Sequence, residues 1–148
     1  MRPSIILPLA GAAFAVTGWW VWSLGQNDDL EAGRVLYAEN CASCHGANLE
    51  GQPDWQIAGE DGILPAPPHN ETGHTWHHGD VLLFDYIKLG GAKTLAQMGI
   101  QDAPSGMPGF EDSLSDSEIR QIIDFIKSTW SDRERLVQEE ATKTEQIG

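Results

Sequence analysis

Both cysteines of the chain lie three positions apart in "CASCH", and a histidine follows the second directly. Three chemistries use two cysteines at that distance: a disulfide or redox pair, half of a zinc site, and covalent haem attachment. A zinc ribbon needs a second pair of ligands at comparable spacing. Here no third cysteine exists, and the other histidines, His69, His74, His77 and His78, sit in one Gly/Pro-rich stretch rather than at helical spacing. A thioredoxin-like pair expects a preceding strand and βαβ alternation, whereas the segment before Cys41 has a helical pattern. Cys-x-x-Cys-His is the remaining reading. Cys41 and Cys44 would form thioethers to the two vinyl groups of one haem, and the spacing brings His45 under the iron as an axial ligand.

The elements that must hold this motif can be read on either side of it. In "NDDLEAGRVLYAENC" an Asn/Asp cap precedes Leu30, Gly33, Tyr37 and Cys41, which fall on one helical stripe. Its acids lie in the first turn, where the helix dipole favours them. A glycine inside a helix costs about 1 kcal/mol against alanine, a cost that makes sense if Gly33 admits another helix. Residues 46–79 are rich in proline and glycine with little apolar periodicity. So long a loop lacks a core of its own, and a haem wrapped by it would supply one. "GDVLLFDYIKLGG" (79–91) reads as a helix capped by Asp80 and stopped by Gly90. In "LSDSEIRQIIDFIKSTW", Ser115 and Glu118 form a capping box, and Leu114 with Ile119 fits a hydrophobic staple. Ile119, Ile122, Ile123, Ile126 and Trp130 then keep helical spacing, which makes Trp130 a core residue. Residues 133–148 are charged without an apolar face, and are expected to be a frayed extension or disordered.

With these pieces in order, residues 27–132 resemble the class I cytochrome c family. Gly33 and Tyr37 match its glycine–aromatic pair, "GMPGF" (106–110) its methionine-ligand loop, and the "LSDSEIRQIIDFIKSTW" segment its C-terminal helix. The resemblance implies an all-α fold with crossing N- and C-terminal helices and haem-wrapping loops. It also implies one covalent haem c. A methionine in the sixth position would close the iron and raise its potential. Met107, between glycine and proline, is the leading choice; Met98, one of the four loop histidines and an empty position are the alternatives. A carbonyl within "LPAPPH", assigned to Pro67, is expected to accept from the His45 ring and fix its tautomer. "HTWHH" is similar to a stretch in membrane-associated bacterial members. Trp76 in it would donate its indole N–H to a haem propionate, as a tryptophan or similar donor often does in the family. The loop histidines themselves read as solvated or locally bonded rather than as a second metal site.

Composition bounds the rest. Residues 4–25 are uncharged and near the ~20 residues a membrane-crossing helix needs, with Arg2 before them and Trp19, Trp20 and Trp22 toward the far end. The division expected is therefore a membrane anchor over 1–26, a haem domain over 27–132 and a tail over 133–148. A cleaved secretory signal ending at Ala13-Phe14-Ala15 is the alternative, which would leave a soluble periplasmic protein. The anchor places the chain in a bacterial inner membrane with the haem domain in the periplasm. The formal net charge is −13; without Arg2, eight Lys/Arg face 22 Asp/Glu, giving −14. Nucleic acid and anionic lipid are poor partners for such a domain, and a redox protein with a basic docking face is a good one.

Three functions follow. The first is a one-electron carrier between a quinol-oxidising complex or dehydrogenase and an oxidase, reaction centre or reductase. The second is a fixed relay subunit of a larger membrane oxidoreductase. The third is an open-site haem peroxidase or gas sensor, which would need a distal acid–base group near a vacant iron position. The carrier leads, so the chain is expected to be an electron-transfer protein rather than an enzyme.

Overall fold

The computed structural model describes residues 27–147, all of whose regular elements are helical. The expected anchor over 1–26 lies outside the described residues. Among those described, no helix is long and apolar enough to cross a membrane.

Helix α1 runs through residues 27–40 and passes by way of Cys41 into the single turn α2, Ala42–His45. After a long irregular loop comes a 3-10 turn, Thr75–His77, then α3, Asp80–Leu89, and α4, Gly91–Gln97. A second irregular stretch leads to α5, Asp116–Ser128, and α6, Asp132–Ile147.

α1 meets α5 at Gly33. A methyl group there would lie 2.6 Å from the Gln121 carbonyl carbon and 3.1 Å from Phe125 Cβ. Only hydrogen on that Cα lets the two backbones approach so closely. The Tyr37 and Phe125 rings, 5.5 Å apart, continue the seam, and Gln121 Nε2 donates to Asp29 Oδ1 at 2.8 Å. α5 contributes Ile119, Ile122, Ile123 and Ile126 to the core, with Trp130 just past its end. Its start carries the reciprocal cap: Glu118 N donates to Ser115 Oγ, and Ser115 N to the Glu118 carboxylate at 2.7 Å. This satisfies two of the amide donors that a helix start leaves without intrahelical partners.

The structure differs from the sequence reading at α3. Gly79, not Asp80, occupies the cap position, and glycine has no side chain to accept. The acceptors come from α6 instead. Thr142 Oγ1 takes Asp80 N at 3.1 Å, and Glu145 takes Val81 N at 3.0 Å and Leu82 N at 3.3 Å. The Asp80 carboxylate is engaged by Lys127 and by Gln138 Nε2, at 2.8 and 2.7 Å.

The C-terminal tail is therefore neither frayed nor disordered. α6 packs on α3 and on the 3-10 turn, with Glu134 and Gln138 buried. It docks through polar side chains, so its sequence carries no apolar face.

Candidate haem-binding site

The site begins where α1 ends. Cys41 N bonds the Tyr37 carbonyl at 2.9 Å, and His45 N bonds the Cys41 carbonyl at 2.9 Å, so the helical path carries through the motif. The two cysteines form no disulfide with each other and keep the spacing that two thioether links to one haem would use. Cys44 is exposed, whereas burial pushes the Cys41 thiol up to about 11. Gly46, at φ 83°, turns the chain out of α2, and its carbonyl accepts from the Tyr37 hydroxyl at 2.9 Å.

His45 is buried, and its Nδ1 lies 2.9 Å from the Pro67 carbonyl oxygen. A carbonyl only accepts, so Nδ1 carries the proton and Nε2 keeps its lone pair. Burial lowers the pKa of the ring, against a smaller opposing effect of the Pro67 hydrogen bond. The result is a neutral imidazole with one fixed tautomer, the form that binds a metal. Gly51 makes the loop's return possible: at φ 68° its Cα sits against the Pro67–Pro68 backbone, and Gly51 N donates to the His45 carbonyl at 2.8 Å.

His69 belongs to this cluster, although its sequence pattern groups it with the other loop histidines. Its ring stacks on His45 with centroids 4.1 Å apart and planes at 22°. Its Nδ1 donates to Thr75 Oγ1 at 2.8 Å, while Thr75 donates onward to the Pro68 carbonyl. The His69 carbonyl accepts from Trp130 Nε1 at 2.6 Å. Burial holds its pKa down at about 3, so the ring is neutral. The available sequence signal was position: His69 follows directly on Pro67-Pro68.

Trp76 is buried within the 3-10 turn, and its Nε1 is the buried side-chain donor without a partner among the described residues. An N–H left in that state costs about 1–3 kcal/mol, a cost removed when a bound acceptor reaches it. The Arg133 guanidinium lies 5.5 Å from the centre of the same ring.

Met107 lies on the irregular stretch between α4 and α5, half-buried against the core. Its carbonyl accepts from Gly91 N at 3.1 Å and its N–H donates to Ser105 Oγ at 3.3 Å. Two glycines press this segment onto the end of α3. A methyl group on Gly90 would lie 2.6 Å from Gly109 N, and one on Gly109 would lie 2.7 Å from the Leu89 carbonyl carbon. Met98, named above as an alternative ligand, is 54% exposed at the end of α4. A short polar helix ends there and turns the thioether to solvent.

The remaining histidines do not converge. His74 stacks on Trp55 at 5.2 Å and meets His78 edge-on at 5.3 Å. Among the described residues no group of three or more His, Cys, Asp or Glu is placed to hold a metal ion.

These residues fit a covalent haem. Two cysteines precede a neutral imidazole of fixed tautomer, a loop folds back over that imidazole, and a buried N–H lacks an acceptor among the described residues. The Cytochrome c family model matches residues 30–130. A gluconate 2-dehydrogenase cytochrome c subunit from Pantoea cypripedii is 29% identical over 118 residues, covering 73% of this chain. The chain spans 22% of the length of that relative. No solved structure matches it.

Proposed function

Since the chain belongs to the cytochrome c family and so carries covalent haem c, we propose that it moves single electrons between redox proteins. The observation that carries this reading is the imidazole of the Cys-x-x-Cys-His motif, held neutral and oriented by the Pro67 carbonyl. Bound haem supplies an iron that cycles between Fe(III) and Fe(II). The protein's part is to hold and tune it. Cys41 and Cys44 anchor the macrocycle through thioethers. His45 Nε2 would hold the iron, and Pro67 sustains its basicity by accepting from Nδ1. Met107, its backbone fixed by Gly91 and Ser105, would supply its thioether sulfur as the second protein ligand. A thioether there excludes small ligands and raises the potential, which suits transfer rather than oxygen chemistry. Trp76 Nε1, buried without a partner among the described residues, would donate its hydrogen bond to a propionate.

Residues 1–26 anchor the domain to a bacterial inner membrane, with the haem on the periplasmic side. What supports this is the uncharged run over 4–25, with Arg2 on one flank and tryptophans toward the other. A fixed relay subunit of a membrane oxidoreductase is the second reading. It is favoured by the similarity to a protein named as the cytochrome c subunit of a gluconate 2-dehydrogenase. Purification in mild detergent tests it through what co-migrates.

The ligand assignment has a direct test. The oxidised protein should show the weak near-infrared sulfur-to-iron charge-transfer band. Met107→Ala should abolish it and Met98→Ala should leave it. A band that survives Met107→Ala removes this residue from the iron.

A further inference from the structure

The chain carries no Lys or Arg between Arg34 and Lys88, a span with eight acids, and none between Lys93 and Arg120, a span with five. Those spans include the whole haem motif, the loop that folds over His45, and the Met107 segment. Every cation of the described domain therefore sits on α1, α3, α4, α5 or α6. Seven of them are in ion pairs there: Arg34, Lys88, Lys93, Lys127, Arg133, Arg135 and Lys143. The eighth, Arg120, lies 4.8 Å over the Phe84 ring. The loops themselves supply only negative charge, and Lys93 reaches the Met107 segment from α4 through Glu111 at 2.6 Å.

The same loops expose apolar side chains. Ile57 is 66% exposed, Leu64 55%, Met98 54% and Ile100 50%. The two stretches that carry them are in contact. A methyl group on Gly106 would lie 3.3 Å from Ile63 Cγ2, and one on Gly62 would lie 3.5 Å from Pro104 Cγ. This contact is one residue from Met107. Asp54, Glu60, Asp61 and Asp102 are exposed on the same two stretches.

We propose that these two stretches, 54–64 and 98–106, form the docking face for a redox protein that presents lysines or arginines around an apolar centre. The proposal rests on the electron-transfer reading and adds where the partner sits and what its surface carries. The apolar side chains give a region that can be dried on contact, as the core of an interface requires. The acids steer a cationic partner to it and act on the rate of encounter. A partner with an acidic face meets repulsion along both stretches, neither of which contains a Lys or Arg of its own.

Small inorganic probes test the field without a known partner. The reduced holoprotein would be oxidised at low salt by hexaammineruthenium(III), a cation, and by ferricyanide, an anion. Combined Asp54→Asn, Glu60→Gln, Asp61→Asn and Asp102→Asn should slow the cation and speed the anion, each about tenfold. The control Asp28→Asn, Glu31→Gln, Glu139→Gln and Glu140→Gln removes as much charge from α1 and α6. It should change either rate less than about twofold. A basic monohaem cytochrome as protein acceptor then reads the apolar part. Ile57→Ser with Leu64→Ser should slow that acceptor several-fold and leave the ruthenium rate unchanged. Equal effects from the two charge variants, or a protein acceptor indifferent to the serine pair, would overturn the docking face. A wild-type protein without a reversible haem couple would instead overturn the electron-transfer reading beneath it.

Discussion

Replacing Gly33 with alanine sets two known effects against each other. In an open helix the change gains about 1 kcal/mol, because alanine loses less conformational freedom on folding. In this structure the new methyl falls onto the Gln121 carbonyl, 2.6 Å from its carbon, with Phe125 Cβ 3.1 Å away. Ordinary contact begins near 3.4 Å. The obstacle is backbone, so no rotamer change relieves it, and α1 must move off α5 by about 1 Å. A radial gap of that size forfeits roughly a quarter to a half of each dispersion contact along the seam. That places the cost at the upper end of the ~1–3 kcal/mol range for overpacking. Subtracting the propensity gain leaves about 2 kcal/mol of destabilisation. For a domain of this size that is a fall in Tm of roughly 6–10 °C. Thermal unfolding of the holoprotein, followed by haem absorbance and by helical circular dichroism, measures it. A Tm unchanged or raised by a few degrees would show that propensity wins. The close crossing of α1 and α5 would then not be what Gly33 is for.

Other elements give further expectations. Cys44→Ser should weaken or abolish haem stain on the denatured polypeptide, and an unstained wild-type band would reject covalent attachment. Ser115→Ala should lower Tm by about 5 °C, the worth of a typical cap. Two hydrogen bonds from Ser115, its N–H first and its hydroxyl second, hold the Glu118 carboxyl below its ordinary value. That stabilisation is full above the ordinary carboxylate range and is lost as pH falls through the lowered value. Ser115→Ala keeps the N–H and removes only the hydroxyl's smaller share, so it should flatten the acid limb of a stability–pH curve in part; an unaltered limb would deny the hydroxyl that role. Trp130→Phe keeps the ring but leaves the His69 carbonyl without its 2.6 Å donor, at about 1–3 kcal/mol. Its signature should be faster amide exchange in the 67–76 loop. Exchange raised only along α5 would contradict the assignment.

The sequence made the chemistry legible where one residue type at one spacing has a single use. The Cys-x-x-Cys-His motif is such a case, as is the Ser115–Glu118 box, since both are local. Gly33 and the isoleucines of α5 were readable because helical period maps directly onto a face. Pro67 was a choice among the carbonyls of "LPAPPH", made because the second nitrogen of a metal-bound imidazole usually donates to such a group. His69 was hidden for the opposite reason. Its neighbours in the chain are other histidines, whereas its neighbours in space are His45, Thr75 and Trp130, which only the fold brings together. α4 was missed because it is short and enters from Gly90 at φ 83° without a capping side chain. Met98 then follows it to the surface.

α6 marks the limit of reading by hydrophobic pattern. It lies beyond the 30–130 match to the family and has no apolar stripe, so its composition suggests an appendage. Yet Gln138 is 1% exposed and donates to both Asp80 and Thr142, at 2.7 and 3.0 Å. A buried amide in that position cannot be left without partners, so its hydrogen bonds specify one seating of the helix on α3. The seating is reciprocal, because α3 begins at a glycine whose missing side chain leaves room for Glu145. Without α6, Asp80, Val81 and Leu82 would lose the acceptors it supplies. Glu145→Ala should cost about 1 kcal/mol, the scale of a lost cap, and should raise amide exchange at Val81 and Leu82 first. The same helix sets Arg133 over Trp76. A segment outside the family domain thereby holds the wall whose buried N–H awaits an acceptor, which ties the stability of the tail to the environment of the haem.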